Sequence, residues 1–188
     1  MGKILCYIYD GMADFEISLL LHRLRNTGKR EIVSISENTE LLRAQSGLCY
    51  KADKTIADIH DIAEFDAIII PGGPINNEQN AICDIALKLI KADKLVAAIC
   101  FAPQFLGRAG ILDDYKYTTS CSEDKIKQLC CADPFNRRNY LLQRVVEDRN
   151  LITAQGYAFV DFAMKVCDYL HIFENEQQRH EQLGRVKE

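Results

Sequence analysis

The stretch from Lys94 to Gln104 reads Lys-Leu-Val-Ala-Ala-Ile-Cys-Phe-Ala-Pro-Gln. Its apolar part, Leu95 to Ile99, is short and continuous, which is typical of a strand buried on both faces. The run stops at Cys100, and Pro103 favours the start of a helix shortly afterwards. Cys100 is therefore predicted to lie on a strand-to-helix turn, which is the architecture of a nucleophile elbow.

The position of Cys100 supports two interpretations. A helix N-terminus and nearby cations can lower a cysteine pKa to about 3.5 to 7.5, so the predicted turn favours a reactive thiolate. Free cysteines are also among the most buried residue types, and on this stretch alone a core cysteine is the more frequent outcome.

The composition limits the class of protein. The chain has 188 residues, which suits one domain that buries roughly 70% of its unfolded surface. Hydrophobic residues make up 48% and charged residues 27%, as in a soluble globular protein. The net charge is -4 and no basic block occurs, so nucleic acid is not an expected partner.

Membrane partners, metals and other cofactors are not expected either. No apolar run reaches the roughly 18 residues that span a bilayer, and the N-terminal run is too short for a secretory signal. The 8 cysteines then indicate a cytoplasmic protein whose thiols stay free. They show no CxxC spacing and lie apart from the 4 histidines, so no metal site is predicted.

Strand and helix patterns alternate along the chain, which predicts a doubly wound, mostly parallel α/β sheet with helices on both faces. The predicted strands are Ile4 to Tyr9, Glu31 to Ser36, Ala67 to Ile70, Leu95 to Ile99, Lys116 to Ser120, Tyr140 to Glu147 and Leu151 to Ala154. The predicted helices are Asp14 to Asn26, one through Ile82 and Leu89 that begins near Asn76 or Asn77, one from Pro103, Glu123 to Leu129, and Ala158 to Ile172.

The remaining segments are predicted to be irregular. A small hairpin is expected within Gln45 to Asp53, and a loop is expected from Asp133 to Asn139. The single domain is expected to cover residues 1–173, followed by a polar, frayed tail over residues 174–188.

Ligand sites in such sheets form at the carboxyl ends of the strands. Three loops at that edge carry candidate residues: Asp14 and Glu16, then Gly72 and Gly73, then Cys100 with the amide of Phe101. The glycines suit a simple turn. Alternatively, a glycine amide beside the amide that follows the nucleophile forms an oxyanion hole.

Four motifs in this order resemble the ThiJ/PfpI superfamily, which includes the human Parkinson-disease protein deglycase. They are Asp14-Phe15-Glu16, Ile68-Ile69-Ile70-Pro71-Gly72-Gly73, Ala97-Ala98-Ile99-Cys100 and Asn150-Leu151-Ile152-Thr153-Ala154-Gln155-Gly156. The resemblance extends from Lys3 to Ile172 and is weak over Cys121 to Asn139. It implies a flavodoxin-like fold, related to class I glutamine amidotransferase domains, and a homodimer.

The resemblance also implies roles for single residues. Cys100 would be the elbow nucleophile, Glu16 would hydrogen-bond its thiol, and Gly73 and Phe101 would supply the oxyanion amides. Members with protease, glyoxalase or deglycase activity carry a histidine near the nucleophile, where this chain has Ser120. None of the histidines falls in a segment expected near Cys100: His22, His60, His171 and His180.

Two functions remain open. In the first, Cys100 attacks a small electrophilic carbonyl or amide-like substrate and Glu16 exchanges a proton, as in a hydrolase, hydratase or lyase. The expected substrate-binding residues are then Gly72, Thr119, Ser120 and Gln155, the last standing where some relatives carry arginine. In the second, the same cysteine oxidises to a sulfinate in an oxidative-stress sensor or chaperone-like protein.

Overall fold

The computed structural model describes residues 2–75 and 80–187. In chain order the elements are β1 (Lys3–Tyr7), α1 (Phe15–Asn26), β2 (Glu31–Ser36), β3 (Leu42–Arg43), β4 (Cys49–Tyr50), β5 (Lys54–Thr55), β6 (Phe65–Ile70), α2 (Ala81–Lys91), β7 (Leu95–Ile99), α3 (Pro103–Arg108), α4 (Glu123–Gln128), β8 (Val145–Asp148), β9 (Leu151–Ala154), α5 (Phe159–Tyr169) and α6 (Glu176–Lys187). No helix among these residues is long and apolar enough to cross a membrane.

The main sheet follows the predicted architecture. Its seven described strands lie in the order β5-β2-β1-β6-β7-β9-β8. Neighbours run parallel except for β8, which pairs antiparallel with β9. The chain leaves β1 toward β2 and later returns to the other side of β1 as β6. The topological switch point, where ligands bind in such sheets, therefore lies at the carboxyl ends of β1 and β6.

Alternating side chains of the central strands build a core on each face of the sheet. Leu5 and Tyr7 of β1 pack with residues of α2 and α3, whereas Ile4 and Cys6 pack with residues of α1 and α5. Fully burying a side chain such as Leu5 stabilises the fold by roughly 1.5 to 3 kcal/mol. Helices on both faces hold the carboxyl edge of the sheet in place.

The predicted strand from Lys116 to Ser120 does not form. Only an isolated bridge joins Tyr117 to Tyr140 there. The amide of Thr118 instead donates to Thr153 Oγ1 at 2.9 Å, and that of Ser120 donates to the Cys100 carbonyl oxygen at 3.0 Å. These tertiary bonds replace a strand ladder and press the segment against the elbow.

The chain beyond α5 differs from the frayed tail that the sequence predicts. It forms helix α6, which is fixed to α5 by a bidentate contact of Arg179 with Asp168 at 2.6 and 2.7 Å. Gln182 also accepts a hydrogen bond from Arg23 on α1.

The predicted start of the core helix α2 at Asn76 or Asn77 lies outside the described residues.

Candidate active site

Cys100 occupies the turn between β7 and α3 with a φ of 63°, in the left-handed region that non-glycine residues rarely adopt. Such a conformation costs on the order of 1 to 3 kcal/mol and persists only where the surroundings hold it. The Cys100 amide donates to the Ala154 carbonyl oxygen at 2.8 Å. Its own carbonyl accepts bonds from Thr119 Oγ1 at 2.6 Å and from the Ser120 amide at 3.0 Å. The predicted elbow geometry is thus present.

Glu16, in the first turn of α1, lies against the thiol. It is 2% exposed, its Oε2 accepts the Gly72 amide at 2.8 Å, and its carboxyl group hydrogen-bonds Cys100. A Cβ on Gly72 would lie 2.6 Å from both Glu16 Oε2 and Cys100 Cβ. A Cβ on Gly156 would lie 2.8 Å from Glu16 Oε1 and 2.9 Å from Cys100 Sγ. Two glycines therefore make room for the acid–thiol contact.

Burial raises the pKa of both the acid and the thiol, whereas their contact lowers the pKa of Glu16 and raises that of Cys100. Burial raises the pKa of Glu16, and the hydrogen bonds from Cys100 and Gly72 offset this only in part. Burial, followed by the charge and hydrogen bond of Glu16, raises the pKa of Cys100 to about 12. The interpretation in which the turn lowers the pKa of Cys100 is wrong, because burial, and after it the carboxylate that faces the sulfur, oppose ionisation.

Two donors nevertheless point at the sulfur. The Ser120 hydroxyl and the Phe101 amide both hydrogen-bond Cys100 Sγ and lower its pKa, although by less than the raising effects. Ser120 Oγ accepts the Gly156 amide at 2.8 Å, which leaves its own proton directed at the sulfur. A thiolate formed at Cys100 would therefore meet two hydrogen-bond donors.

Three expected substrate-binding residues are already bonded within the protein. The Gly72 amide is used by Glu16, and the Thr119 hydroxyl by the Cys100 carbonyl. Gln155 Nε2 donates to Thr118 Oγ1 at 2.7 Å and to the Thr119 carbonyl at 2.9 Å. The Gly72 amide, the Thr119 hydroxyl and the Gln155 side-chain amide are thus engaged within the protein, whereas the Ser120 hydroxyl is directed at Cys100 Sγ.

Gly73 lies beside Tyr9, a residue that sequence reasoning missed. A Cβ on Gly73 would lie 2.6 Å from the Tyr9 hydroxyl oxygen, and this hydroxyl donates to the Pro71 carbonyl at 2.9 Å. Tyr9 thereby fixes the glycine loop next to the elbow. The sequence around Tyr9 carries no signal that would have identified it as a neighbour of the candidate site. Gly156 could have been identified as such a neighbour, because it follows a strand that ends at the same edge of the sheet.

Asp14 does not share the site with Glu16, although only one residue separates them. Its Oδ2 accepts hydrogen bonds from Ser46 Oγ at 2.5 Å and from the Tyr50 hydroxyl at 2.9 Å. Burial opposes its ionisation, but the bonds from Ser46 and Tyr50 prevail and lower the Asp14 pKa. Asp14 therefore anchors the β3–β4 hairpin to α1.

The chemistry around Cys100 comes from thiol, carboxyl, hydroxyl and amide groups. All four histidines are exposed. Across residues 2–75 and 80–187, no three or more His, Cys, Asp or Glu side chains are grouped so that they could hold a metal ion. The arrangement offers one nucleophile, one acid–base group and donors around the sulfur.

The mostly parallel sheet with helices on both faces is a flavodoxin-like fold. At its carboxyl edge a cysteine lies on a strained strand-to-helix turn, and a buried carboxylic acid contacts its sulfur. The model of the DJ-1/PfpI family matches residues 2–168, and the chain belongs to that family.

Relatives with different names share this family. The "uncharacterized protease YoaZ" of Bacillus subtilis is 28% identical, covering 94% of this chain and 87% of its own. The "deglycase TK1284" of Thermococcus kodakarensis is 31% identical, covering 66% of this chain and 76% of its own. A DJ-1 superfamily protein of Agrobacterium tumefaciens superposes with a TM-score of 0.83 at 26% identity, over 100% of this chain and 99% of its own. These similarities define the family and the fold of the chain. They do not define one activity, because the relatives are named after different activities.

Proposed function

We propose that this protein is a cysteine-dependent enzyme acting on a small electrophilic carbonyl or amide-like compound, by a hydrolase, hydratase or lyase reaction. The observation that carries the proposal is the contact of the buried Glu16 carboxyl with the Cys100 thiol on a strained elbow. A thiol in contact with a carboxyl group of perturbed pKa is the arrangement expected of a nucleophile with its own acid–base group.

In the first step Glu16 acts as the base. Cys100 Sγ forms a bond to the electrophilic carbon while its proton passes to the carboxylate, so no free thiolate has to accumulate. The electron pair of the C=O bond moves to oxygen, where the amides of Gly73 and Phe101 would stabilise the negative charge. In the second step protonated Glu16 gives its proton to the leaving group as the bond between that group and the carbonyl carbon breaks. A water molecule then attacks the resulting thioester, the C–S bond breaks and the sulfur regains a proton, which restores the Cys100 thiol.

The proposed reaction needs only one acid–base group. Ser120 donates to the sulfur, but its hydroxyl titrates far above neutral pH and cannot replace a histidine as a general base. Hydration or hydrolysis of an activated electrophile suits this site, whereas isomerisation of a dicarbonyl adduct needs further proton transfers. We therefore expect glyoxalase, deglycase and protease activities to be weak.

A second candidate function uses the same donors. Peroxide would oxidise Cys100 first to a sulfenate and, with a second equivalent, to a sulfinate, and each step reduces peroxide to water. The Ser120 hydroxyl and the Phe101 amide already point at the sulfur and would bond the new oxygens. This arrangement supports an oxidative-stress sensor or chaperone-like protein.

The test is a screen of the purified protein against methylglyoxal and a panel of small electrophiles, with Cys100→Ser as the blank. Turnover that depends on Cys100 supports the enzyme. Absence of turnover across the panel, together with a stable Cys100 sulfinate after mild peroxide, would favour the sensor and overturn the first candidate.

A homodimer is the proposed assembly. Phe15, Leu48 and Tyr157 are 53%, 61% and 64% exposed. The bond from Ser46 to Asp14 joins the hairpin that carries Leu48 to the start of α1, where Phe15 lies. A second copy would cover this apolar surface. Phe15→Glu is expected to give a monomer in analytical ultracentrifugation, while Leu129→Glu, on the opposite face of the sheet, leaves the dimer intact; a monomeric wild type would contradict the proposal.

The cytoplasm is the proposed location. Each of the eight cysteines is a free thiol, as expected in a reducing compartment.

A further inference from the structure

A separate cleft of about 220 Å³ opens at the carboxyl ends of β1 and β2. It lies next to the switch point of the sheet, where parallel α/β folds commonly bind ligands. Tyr9 belongs both to this cleft and to the surroundings of the thiol: its ring lines the cleft, and its hydroxyl bonds Pro71 beside Gly73. The charges of Glu16 and Cys100 also act on Tyr9, so the two sites are neighbours.

The floor of the cleft is aromatic and rigid. The rings of Tyr7 and Tyr9 are stacked with centroids 5.1 Å apart. Phe105 meets both edge-on, at 5.7 Å from Tyr7 and 5.6 Å from Tyr9. Edge-on and stacked contacts of this kind fix aromatic side chains beyond the effect of burial alone. A ligand would meet a preformed apolar surface.

The hydroxyl groups that line the cleft already donate their protons to the protein. Tyr9 donates to the Pro71 carbonyl at 2.9 Å, and Tyr7 donates to Glu37 Oε1 at 3.4 Å. Ser36 donates to the Asn38 carbonyl. Since each hydroxyl carries a single proton, none of the three can donate to a ligand without breaking its present bond.

The other polar groups that line the cleft are mostly hydrogen-bond acceptors. Asn80 Oδ1 is buried and has no hydrogen-bond partner among the described residues. The exposed carboxylates of Asp10 and Glu37 stand at the rim. The lining contains no lysine, arginine or histidine from the described part of the chain. Arg43 lies nearby in sequence, but its guanidinium donates to the Gly47 carbonyl at 2.9 Å.

We propose that this cleft binds the ammonium group of a small organic amine. The ammonium would donate to Asn80 Oδ1 and to the Glu37 carboxylate, and a short alkyl chain would pack on the Tyr9 ring. An ammonium carries three donors and no acceptor, which matches a lining with an unpartnered acceptor and two carboxylates. Anions are excluded because the rim is negatively charged. The assignment does not depend on turnover at Cys100.

The experiment is an NMR titration of the 15N-labelled protein with butylammonium, with butanol and butanoate as the uncharged and anionic counterparts. We expect butylammonium to shift the amide signals of Asp10, Asn38 and Asn80 saturably, and butanol and butanoate to bind at least about tenfold more weakly, the loss expected for one charge-assisted hydrogen bond. Equal binding of butanol would overturn the proposal, because the apolar floor alone would then account for it.

Two matched variants separate a local contact from the general field of the protein. Glu37→Gln removes a rim carboxylate, and Glu40→Gln removes another exposed carboxylate, which does not line the cleft. We expect the first to weaken butylammonium binding about tenfold and the second to change it less than twofold. The same loss in both variants would show that only long-range charge attracts the cation, and the site would be rejected.

Discussion

Cys100 and Cys121 lie in neighbouring segments, and both thiols resist ionisation, for different reasons. Burial alone dominates at Cys121, which is fully buried among apolar side chains, and raises its pKa to about 11. At Cys100 burial is reinforced by Glu16, and the pKa rises to about 12. The carboxylate that opposes ionisation of Cys100 is the group that we propose takes its proton, whereas Cys121 Sγ donates to the Ser122 carbonyl oxygen at 3.9 Å, which is too weak a base to do so. A raised thiol pKa therefore accompanies burial in one place and contact with a buried carboxyl group in the other.

The largest expected effect comes from removing each sulfur in turn. Cys100→Ser is expected to abolish turnover of any substrate found in the screen, because serine is a far weaker nucleophile without a strong base. Cys121→Ser is expected to change kcat/KM less than about threefold, since this thiol contacts core residues. Steady-state kinetics with circular dichroism as a control for folding decide the point, and equal losses in both variants would place the nucleophile elsewhere.

The next effect concerns position 120, where this chain has Ser120 and relatives with protease, glyoxalase or deglycase activity are expected to have a histidine. Conversion of methylglyoxal to lactate by the wild type is expected to be at the limit of detection, because a positioned general acid or base typically contributes about 10² to 10⁴ in rate and only Glu16 is present. Ser120→His should raise the rate if the variant folds. Robust lactate formation by the wild type would show that another residue performs this proton transfer.

A smaller effect on the reactivity of Cys100 is expected from the Ser120 hydroxyl, which donates a hydrogen bond to its sulfur. Ser120→Ala removes a hydroxyl that lowers the pKa of Cys100, so the pKa should rise and alkylation at a fixed alkaline pH should slow several-fold. Ser120→Thr keeps a hydroxyl and should restore most of the rate. Iodoacetamide labelling with peptide mapping measures both, and faster labelling of the alanine variant would contradict the assigned direction of this hydrogen bond.

The smallest expected effect is a crosslink that does not form. Cys100 contacts the core beneath α1 and α5, whereas Cys121 is buried in the core on the other face of the sheet. We expect mild peroxide to give Cys100 sulfinate and no peptide joining the two cysteines, as read by mass spectrometry. A crosslinked peptide would show that the segment around Ser120 opens far enough for a sulfenate on Cys100 to reach the second thiol.

The sequence predicts strands of the sheet well where the apolar pattern of the segment itself determines that it is a strand. Leu95 to Ile99 and Glu31 to Ser36 form strands with the predicted bounds, because buried apolar runs leave few alternatives. Lys116 to Ser120 looks equally extended, but its amides bond Thr153 and Cys100 from distant parts of the chain. Helix α6 depends in the same way on Asp168, a partner that local pattern does not reveal.

The candidate site follows a similar division. Cys100 and Glu16 were predictable because the carboxyl ends of parallel strands gather at one edge. The direction in which the pKa of Cys100 moves was not predictable, because it depends first on how deeply the sulfur is buried and then on whether a carboxylate or a cation faces it. The supporting positions of Gly72 and Gln155 likewise follow from hydrogen bonds to Glu16 and Thr119 that only the folded chain creates.

The most direct test of the proton-sharing pair is the pH dependence of Cys100 alkylation in the wild type and in Glu16→Gln, with turnover measured in parallel. Asp14→Asn is the matched control, since this neighbouring carboxylate bonds the hairpin instead of the thiol. Glu16 raises the pKa of Cys100 through its charge and its hydrogen bond, so the glutamine variant should lower that pKa. Because the thiolate fraction well below the pKa rises about tenfold when the pKa falls by about one, alkylation at pH ~8 should become faster.

Turnover should move in the opposite direction in the same variant, falling by about 10² to 10⁴, because the group that accepts and returns the proton is gone. Asp14→Asn should leave both quantities close to those of the wild type. Faster alkylation together with lost turnover in Glu16→Gln is the expected result. Unchanged alkylation, or turnover that survives, would contradict proton sharing between Glu16 and Cys100.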